Sequence, residues 1–309
     1  LKTKDLLSVA DLSAAETEKI IVRALKMKGG PAPQLLSDKI LALVFEKPSL
    51  RTRVSFEVAV HRLGGYCFYL SPDEVGLGKR EPVSDVARVL SRYVDGIIAR
   101  TFSHQNLQML ARHSTVPVIN ALSDLEHPCQ ALADILTIRE KKGKLKGLNL
   151  AFIGDGNNVA NSLLLAAAQT GVNFCIASPA GYEVNDEILR VAKGFAAGSG
   201  SQILSTEEPE QAVKDADIVY TDVWTSMGQE TEAEKRRKAF DGYQVDIQLL
   251  SLAKKDVIFM HPLPAHHGEE VAVGILDSKC SVVFDQAENR LHLQKALLAE
   301  MFGKAGRTR

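Results

Sequence analysis

Short β-branched and apolar runs alternate with helix-length amphipathic segments along almost the whole chain. Such alternation predicts α/β layers built on mainly parallel sheets. In the first half, strands are expected at Lys39–Phe45, Tyr66–Leu70, Gly96–Thr101 and Val116–Leu122. The clearest helix between them is "SDVARVLSRY", where Val86, Val89, Leu90 and Tyr93 fall on one face. The polar, basic stretch "EKKGKLKG" follows a well-patterned helix, "PCQALADILTIRE", and marks a domain boundary near residue 142. Beyond it the alternation restarts, with strands expected at Leu148–Gly154, Asn173–Ser178, Gln202–Ser205, Ile218–Val223, Val257–His261 and Ser281–Phe284. Between the fourth and fifth of these, "SMGQETEAEKRRKAFDGYQV" is too long and polar for a tight connection, and such excursions usually carry function. A last helix is expected from Asn289 to Phe302. The expected fold is α/β, two doubly wound parallel-sheet domains facing a cleft. They would span 1–142 and 143–286, with the C-terminal helix, 287–309, packing back on the first.

Length and charge narrow the function classes. A chain of 309 residues suits two domains, each able to bury a core. Its 37 Lys and Arg balance 38 Asp and Glu, which gives no reason to expect nucleic acid or an anionic membrane as a partner. No apolar run is long enough to span a bilayer, and the opening residues read as a capped amphipathic helix, not a signal peptide. Cys67, Cys129, Cys175 and Cys280 lie far apart without CxxC pairing, as expected of reduced cysteines in a cytoplasmic protein.

The candidate chemistry gathers where strands hand over to helices. In "FEKPSLRTRVSFE", Lys47, Ser49, Arg51, Thr52 and Arg53 cluster at a helix start, where cations would repel one another unless an anion sat among them. A helix N-terminus binds phosphate readily, and Ser49, Thr52 and the planar fork of Arg51 supply donors for its oxygens. A single such tetrapeptide is common and says little. Arg100 ends "GIIAR", however, and His127 with Gln130 follows "VPVINAL", so several strand ends carry polar groups toward one crevice. In "LAFIGDGNNVANS", Gly154 and Gly156 resemble a dinucleotide fingerprint, but Val159 occupies the third glycine position and the next strand ends without an acid. No nucleotide cofactor is expected. Asn157 and Asn158 there offer amides to a polar substrate. "YTDVWTSMG" sets Asp222, Ser226 and Met227 at the sheet edge, with Asp222 able to pair with a cationic amine, and "FMHPLPAHH" sets the carbonyls of Pro262 and Leu263 beside them. His261, His266 and His267 match no standard ligand spacing, and with no cysteine or paired acid taken to lie close, a metal is not expected.

These residues, in this order, resemble the carbamoyltransferases, most closely the ornithine carbamoyltransferases. The matching stretches are "SLRTR", "ARTF", "HPCQALAD", "IGDGNN", "DVWTSMGQE", "HPLP" and "AENR", and they span essentially the whole chain. The resemblance implies a homotrimer whose first domain binds carbamoyl phosphate and whose second binds L-ornithine, without metal or cofactor. By position, Ser49, Leu50, Arg51 and Thr52 would hold the phosphate together with Arg100. Arg100, Thr52 and His127 would polarise the carbamoyl oxygen, and Gln130 would fix its amide. Asn158, Asp222, Ser226 and Met227 would take the α-amino and α-carboxyl groups of ornithine, with Pro262, the Leu263 carbonyl and Arg290 beside the transferring group. Three positions depart from the family pattern. Leu50 replaces a threonine, Gly76 stands where many relatives carry Gln or His, and Pro262 replaces the cysteine of His–Cys–Leu–Pro. His–Pro–Leu–Pro is familiar from aspartate enzymes, and putrescine or an acylated ornithine are further alternatives. An aspartate site needs extra cations for a second carboxylate, whereas this edge offers Asp222 and neutral residues, which favours ornithine.

Overall fold

A computed structural model describes residues 1–30, 33–226 and 228–303. The chain forms two compact units, Leu1–Leu136 joined by the segment that begins at Glu288, and Thr137–Ala287.

In the first unit the elements run α1 (Ala14–Lys28), β1 (Ile40–Phe45), α2 (Leu50–Arg62), β2 (Tyr66–Leu70), α3 (Pro72–Val75), α4 (Val83–Tyr93), β3 (Gly96–Arg100), α5 (His104–His113), β4 (Val118–Leu122) and the start of α6 (Pro128–Lys142), which from Thr137 on belongs to the second unit. All strand pairs are parallel, in the order β2-β1-β3-β4. The run "ILALVF" of β1 is buried from Leu41 on, as a strand covered on both faces requires. α4 buries Val83, Val86 and Ala87, while Val89 and Tyr93 of the expected apolar face are exposed. The core stripe starts one turn earlier, at Val83, and carries the face away from Val89 and Tyr93. Gly76, in the left-handed region at φ 50°, ends α3.

The second unit runs β5 (Asn149–Ile153), α7 (Asn158–Thr170), β6 (Asn173–Ala177), α8 (Asp186–Ser199), β7 (Ile203–Thr206), α9 (Pro209–Val213), β8 (Ile218–Thr221), α10 (Ala233–Ala239), α11 (Ile247–Ser251) and β9 (Ile258–Met260). Its parallel order, β7-β6-β5-β8-β9, is that of a doubly wound sheet. The long polar excursion after β8 holds α10 and α11. The strand expected at Ser281–Phe284 does not form. Ser281 makes one isolated bridge to Phe259, and Val282 N donates to Phe259 O at 3.0 Å. Helix α12 (Val283–Phe302) then begins, earlier than the expected Asn289. Val283 is buried and Phe284 exposed, Asp285 places a carboxylate in the first helical turn, and β9 offers only a short edge to pair with.

From Glu288 onward α12 belongs with the first unit. There Lys19 and Arg23 of α1 each reach Glu300 at 2.6 Å, and Lys295 donates to the Met27 carbonyl at 3.1 Å. Among the described residues, no helix is long and apolar enough to cross a membrane.

Candidate active site

Each sheet has a point where successive connections leave in opposite directions, and a crevice opens there beyond the strand ends. In the first unit that point lies between β1 and β3, which pair Phe45 with Arg100. Ser49 caps α2, its hydroxyl accepting from Thr52 N at 3.3 Å. Leu50, the first helical residue, exposes its side chain, so this position can serve an anion only through its backbone N–H. Thr52 is fully buried, and its Oγ1 accepts from Ser49 Oγ at 3.0 Å and from Arg290 Nη2 at 2.7 Å. With both acceptor directions used, its own proton points elsewhere.

Arg51, Arg100, His127, Gln130 and Arg290 complete this group within the one unit. Among the described residues no carboxylate acts on Arg51 or Arg100. Burial, then repulsion from Arg290 and Arg51, pushes the Arg100 guanidinium down to about 10. Burial also lowers Arg51. His127 sits just before α6, its carbonyl accepting from Gln130 N and Ala131 N at 3.1 Å, with Pro128 as the first helical residue. Burial and then the Arg290 and Arg100 charges hold its imidazole well below its ordinary pKa, so the ring is neutral. Gln130 donates to Asp134 Oδ1 at 2.8 Å, which fixes the amide and leaves its buried Oε1 without a partner, as is Arg100 Nε. Orphaned polar atoms beside uncompensated cations describe a place made for an anion that can also accept and donate hydrogen bonds.

In the second unit the corresponding point lies between β5 and β8. The glycines after β5 answer to packing. Gly154 has φ 135°, and a Cβ on Gly156 would lie 2.2 Å from the Glu183 carbonyl carbon. Asn157 caps α7 by accepting from Val159 N and Ala160 N, and its amide donates to Asp222 Oδ2 at 2.8 Å. Burial raises the Asp222 carboxyl above its ordinary value, opposed by His261 and by the Asn157 bond. A cation brought next to it would be met by a carboxylate with little other compensation. Asn158, half-buried, opens α7, and Ser226 closes a turn in which its N–H donates to Gln229 Oε1 at 3.1 Å. Met227 lies outside the described residues.

Pro262 is buried and Leu263 follows at φ 58°, a left-handed conformation rare for a branched residue. His261 holds it there. Leu263 N donates to His261 Nδ1 at 2.9 Å, so the ring proton sits on Nε2 and faces Glu270 Oε1 at 3.2 Å. Contrary to the sequence reading, a paired acid does close on the histidines. His266, Glu269 and Glu270 bring one ligand atom each within 4.8 Å of one another. Glu269 also takes Arg237 at 2.9 Å, and Glu270 takes His266 N at 2.6 Å. His267 is exposed and stands outside that group.

Asn157, Asp134 and Glu270, which orient Asp222, Gln130 and His261, escaped the sequence reading as orienting groups. Two signals were available: the "GDGNN" turn, where a cap is expected before a helix, and the i,i+4 spacing of Gln130 and Asp134 in an expected helix. Glu270 gives no local sign, because its partner becomes a neighbour only after the chain turns at Leu263.

Two family models divide the chain as the sheets do. The carbamoyl-P binding domain of aspartate/ornithine carbamoyltransferase matches residues 4–140, and its Asp/Orn binding domain matches residues 146–301. The chain belongs to the aspartate/ornithine carbamoyltransferase family. Within it, the chain is 52% identical over 307 residues to the ornithine carbamoyltransferase of Thermococcus kodakarensis, covering 98% of each. The solved structure of ornithine carbamoyltransferase from Pyrococcus furiosus superposes with a TM-score of 0.95 at 51% identity, covering 98% of each chain. That of the anabolic ornithine carbamoyltransferase from Campylobacter jejuni gives 0.93 at 42% identity, over 97% of this chain and 99% of that one.

Proposed function

We propose that this chain transfers the carbamoyl group of carbamoyl phosphate to the δ-amine of L-ornithine, giving L-citrulline and phosphate. The observation that carries this reading is that the first unit holds uncompensated guanidinium groups and the second holds a buried carboxylate, Asp222, whose side-chain hydrogen-bond partner is the Asn157 amide and not a Lys or Arg. The first suits a phosphorylated donor and the second an amino-acid ammonium. The near-full-length likeness to ornithine carbamoyltransferases supports the same acceptor.

In this reading residues 1–142 bind the donor and 143–286 the acceptor. The N–H groups opening α2, from Leu50 to Thr52, hold the phosphate with Arg51, Arg100 and the Ser49 hydroxyl, which turns to it from Thr52. Neutral His127, Arg100 and the Thr52 proton polarise the carbamoyl oxygen and then stabilise the oxyanion of the tetrahedral intermediate. Gln130 Oε1, aimed by Asp134, accepts from the carbamoyl NH2. Asp222, Asn158, Ser226 and Met227 take the α-amino and α-carboxyl groups, while Pro262, the Leu263 carbonyl and Arg290 lie toward the reacting atoms. The δ-amine, with a free pKa of about 10, is disfavoured as an ammonium by the cations and attacks as the free base. Its proton leaves with the phosphate. The nitrogen–carbon bond forms first to give that tetrahedral intermediate, and the carbon–oxygen bond to phosphate breaks as it collapses, with no metal or cofactor in the scheme. In the same reading the protein works as a cytoplasmic homotrimer, and its place in arginine biosynthesis is supported by the anabolic name of the Campylobacter jejuni relative.

Steady-state assays with carbamoyl phosphate and ornithine, aspartate, putrescine or N-acetylornithine test the proposal. Ornithine should give the highest kcat/KM; aspartate as the best acceptor would overturn it.

A further inference from the structure

The polar excursion after β8 carries Arg236 on α10, and this guanidinium is buried, with the residue 7% exposed. Its Nη1 donates to Asp155 Oδ2 at 2.8 Å and to the Trp224 carbonyl at 2.9 Å. Its Nε points to Glu232 at 3.4 Å, and its plane lies 5.0 Å from the Tyr182 ring. One side chain therefore ties together the segments that leave β5, β6 and β8. The turns that carry Asp155 and Tyr182 are joined a second time, because Gly156 N donates to the Tyr182 carbonyl at 2.7 Å. Trp224 stacks on Phe240 at 5.7 Å, and Tyr182 meets the same ring edge-on at 4.9 Å.

The tied atoms flank the acceptor groups closely. Asp155 precedes Asn157, whose amide donates to Asp222, and Trp224 stands midway between Asp222 and Ser226. A shift of the Asp155 turn moves the donor to Asp222, and a shift of the Trp224 carbonyl moves the backbone that presents Asp222 and Ser226. We infer that Arg236 is a positioning residue for acceptor recognition, fixing the relation of the Asn157 turn to the Asp222–Ser226 segment. It touches neither substrate in this scheme. The inference rests on the assignment of Asp222, Asn158 and Ser226 to the amino-acid acceptor made above.

Charge and shape both matter in this brace. Methionine at 236 keeps an apolar stem but removes every donor, leaving the buried Asp155 carboxylate without its cation. Lysine keeps the charge but presents it as a compact point on a shorter reach, without the planar fork.

The test is steady-state kinetics of Arg236→Met and Arg236→Lys with carbamoyl phosphate and L-ornithine, compared with the wild-type protein. For Arg236→Met the ornithine KM should rise about thirtyfold or more, with the carbamoyl phosphate KM within about twofold. Arg236→Lys should recover part of that rise. A residue that only supported the fold would lower the amount of active enzyme and leave both KM values in place, and that result would overturn the inference. Equal rises in both KM values would overturn it as well. Should Arg236→Met fail to fold, Asp155→Asn keeps the volume and the Trp224 bond, and its ornithine KM should rise several-fold, about fivefold, again without the donor KM. An unchanged ornithine KM there would reject the brace. Ornithine turnover by the wild-type protein is read in the same assay, so its absence would sink the acceptor assignment and the brace together. Normal wild-type turnover with unmoved variants would sink the brace alone.

Discussion

Replacing Arg100 with methionine should stabilise the protein while removing its donor site. The guanidinium lies at the end of β3, 8% exposed, with Arg51 and Arg290 as its charged neighbours. Its depression from 12.5 to about 10 measures how strongly burial and like charge disfavour the cation. At roughly 1.4 kcal/mol per pH unit, that amounts to about 3 kcal/mol. Methionine keeps most of the apolar stem and loses no partner at Nε, which has none. After some loss of packing, Arg100→Met should gain about 1–2 kcal/mol, which for a unit of this size raises Tm by roughly 2–8 °C. Anion binding reverses the order. A phosphonate analogue of carbamoyl phosphate at a hundred times its Kd adds about 2.7 kcal/mol to the wild type and little to the variant. Scanning calorimetry of both proteins across analogue concentration should therefore show two curves that cross. A variant less stable than wild type without analogue, or one that gains equally with it, would refute the argument.

Other consequences follow from the second unit. Asp222→Asn should lower kcat/KM for ornithine by about a hundredfold, the loss of one buried charge-assisted contact, while calorimetric binding of the phosphonate analogue stays unchanged. Gly156→Ala should destabilise the protein by about 2–4 kcal/mol in denaturant titration, because its Cβ meets backbone at Glu183 and Val184 instead of a movable side chain. Burial pushes the Asp155 carboxyl up to about 6, against the lowering pull of Arg236 and with Asp222 and Glu232 also facing it. It is ionised above that pH and gains a proton as pH falls through it, which weakens the grip of Arg236. L-norvaline, which keeps the α groups of ornithine and lacks the δ-amine, should thus bind the analogue complex more weakly below about pH 6, by several-fold. Asp155→Asn should flatten that inflection, and an identical profile in wild type and variant would exclude Asp155 as its source.

The alternation of strands and helices was legible because buried parallel strands such as "ILALVF" and "NLAFI" are short, apolar and β-branched, and sit between amphipathic runs. It failed at Ser281–Phe284, where "SVVF" has strand composition but an acid-bearing helical continuation and a short edge to pair with. It also failed in the phase of α4, since the choice between Val83 and Val89 as core residues depends on what packs on the helix. Candidate site residues such as Ser49, Arg51, Arg100, His127 and Asp222 stood out because polar groups cluster after strands, where backbone geometry leaves donors free. The groups that orient them did not. Asp134 is one turn along its own helix, Glu270 lies across a turn, and Arg236 reaches Asp155 from far along the chain. The Gln130–Asp134 spacing is local and could have been read as a helical pair, whereas nothing local encodes the reach of Arg236 to Asp155.

The identity of the acceptor is the central claim, and a competition measures it directly. The protein is given carbon-13 carbamoyl phosphate with equal concentrations of ornithine, aspartate and putrescine, and the labelled products are resolved by carbon NMR. Ureido carbon on the δ-nitrogen of citrulline should account for nearly all of the enzyme-dependent signal. Label appearing mainly as carbamoyl aspartate or carbamoyl putrescine would contradict the account of Asp222 as the group that selects the acceptor.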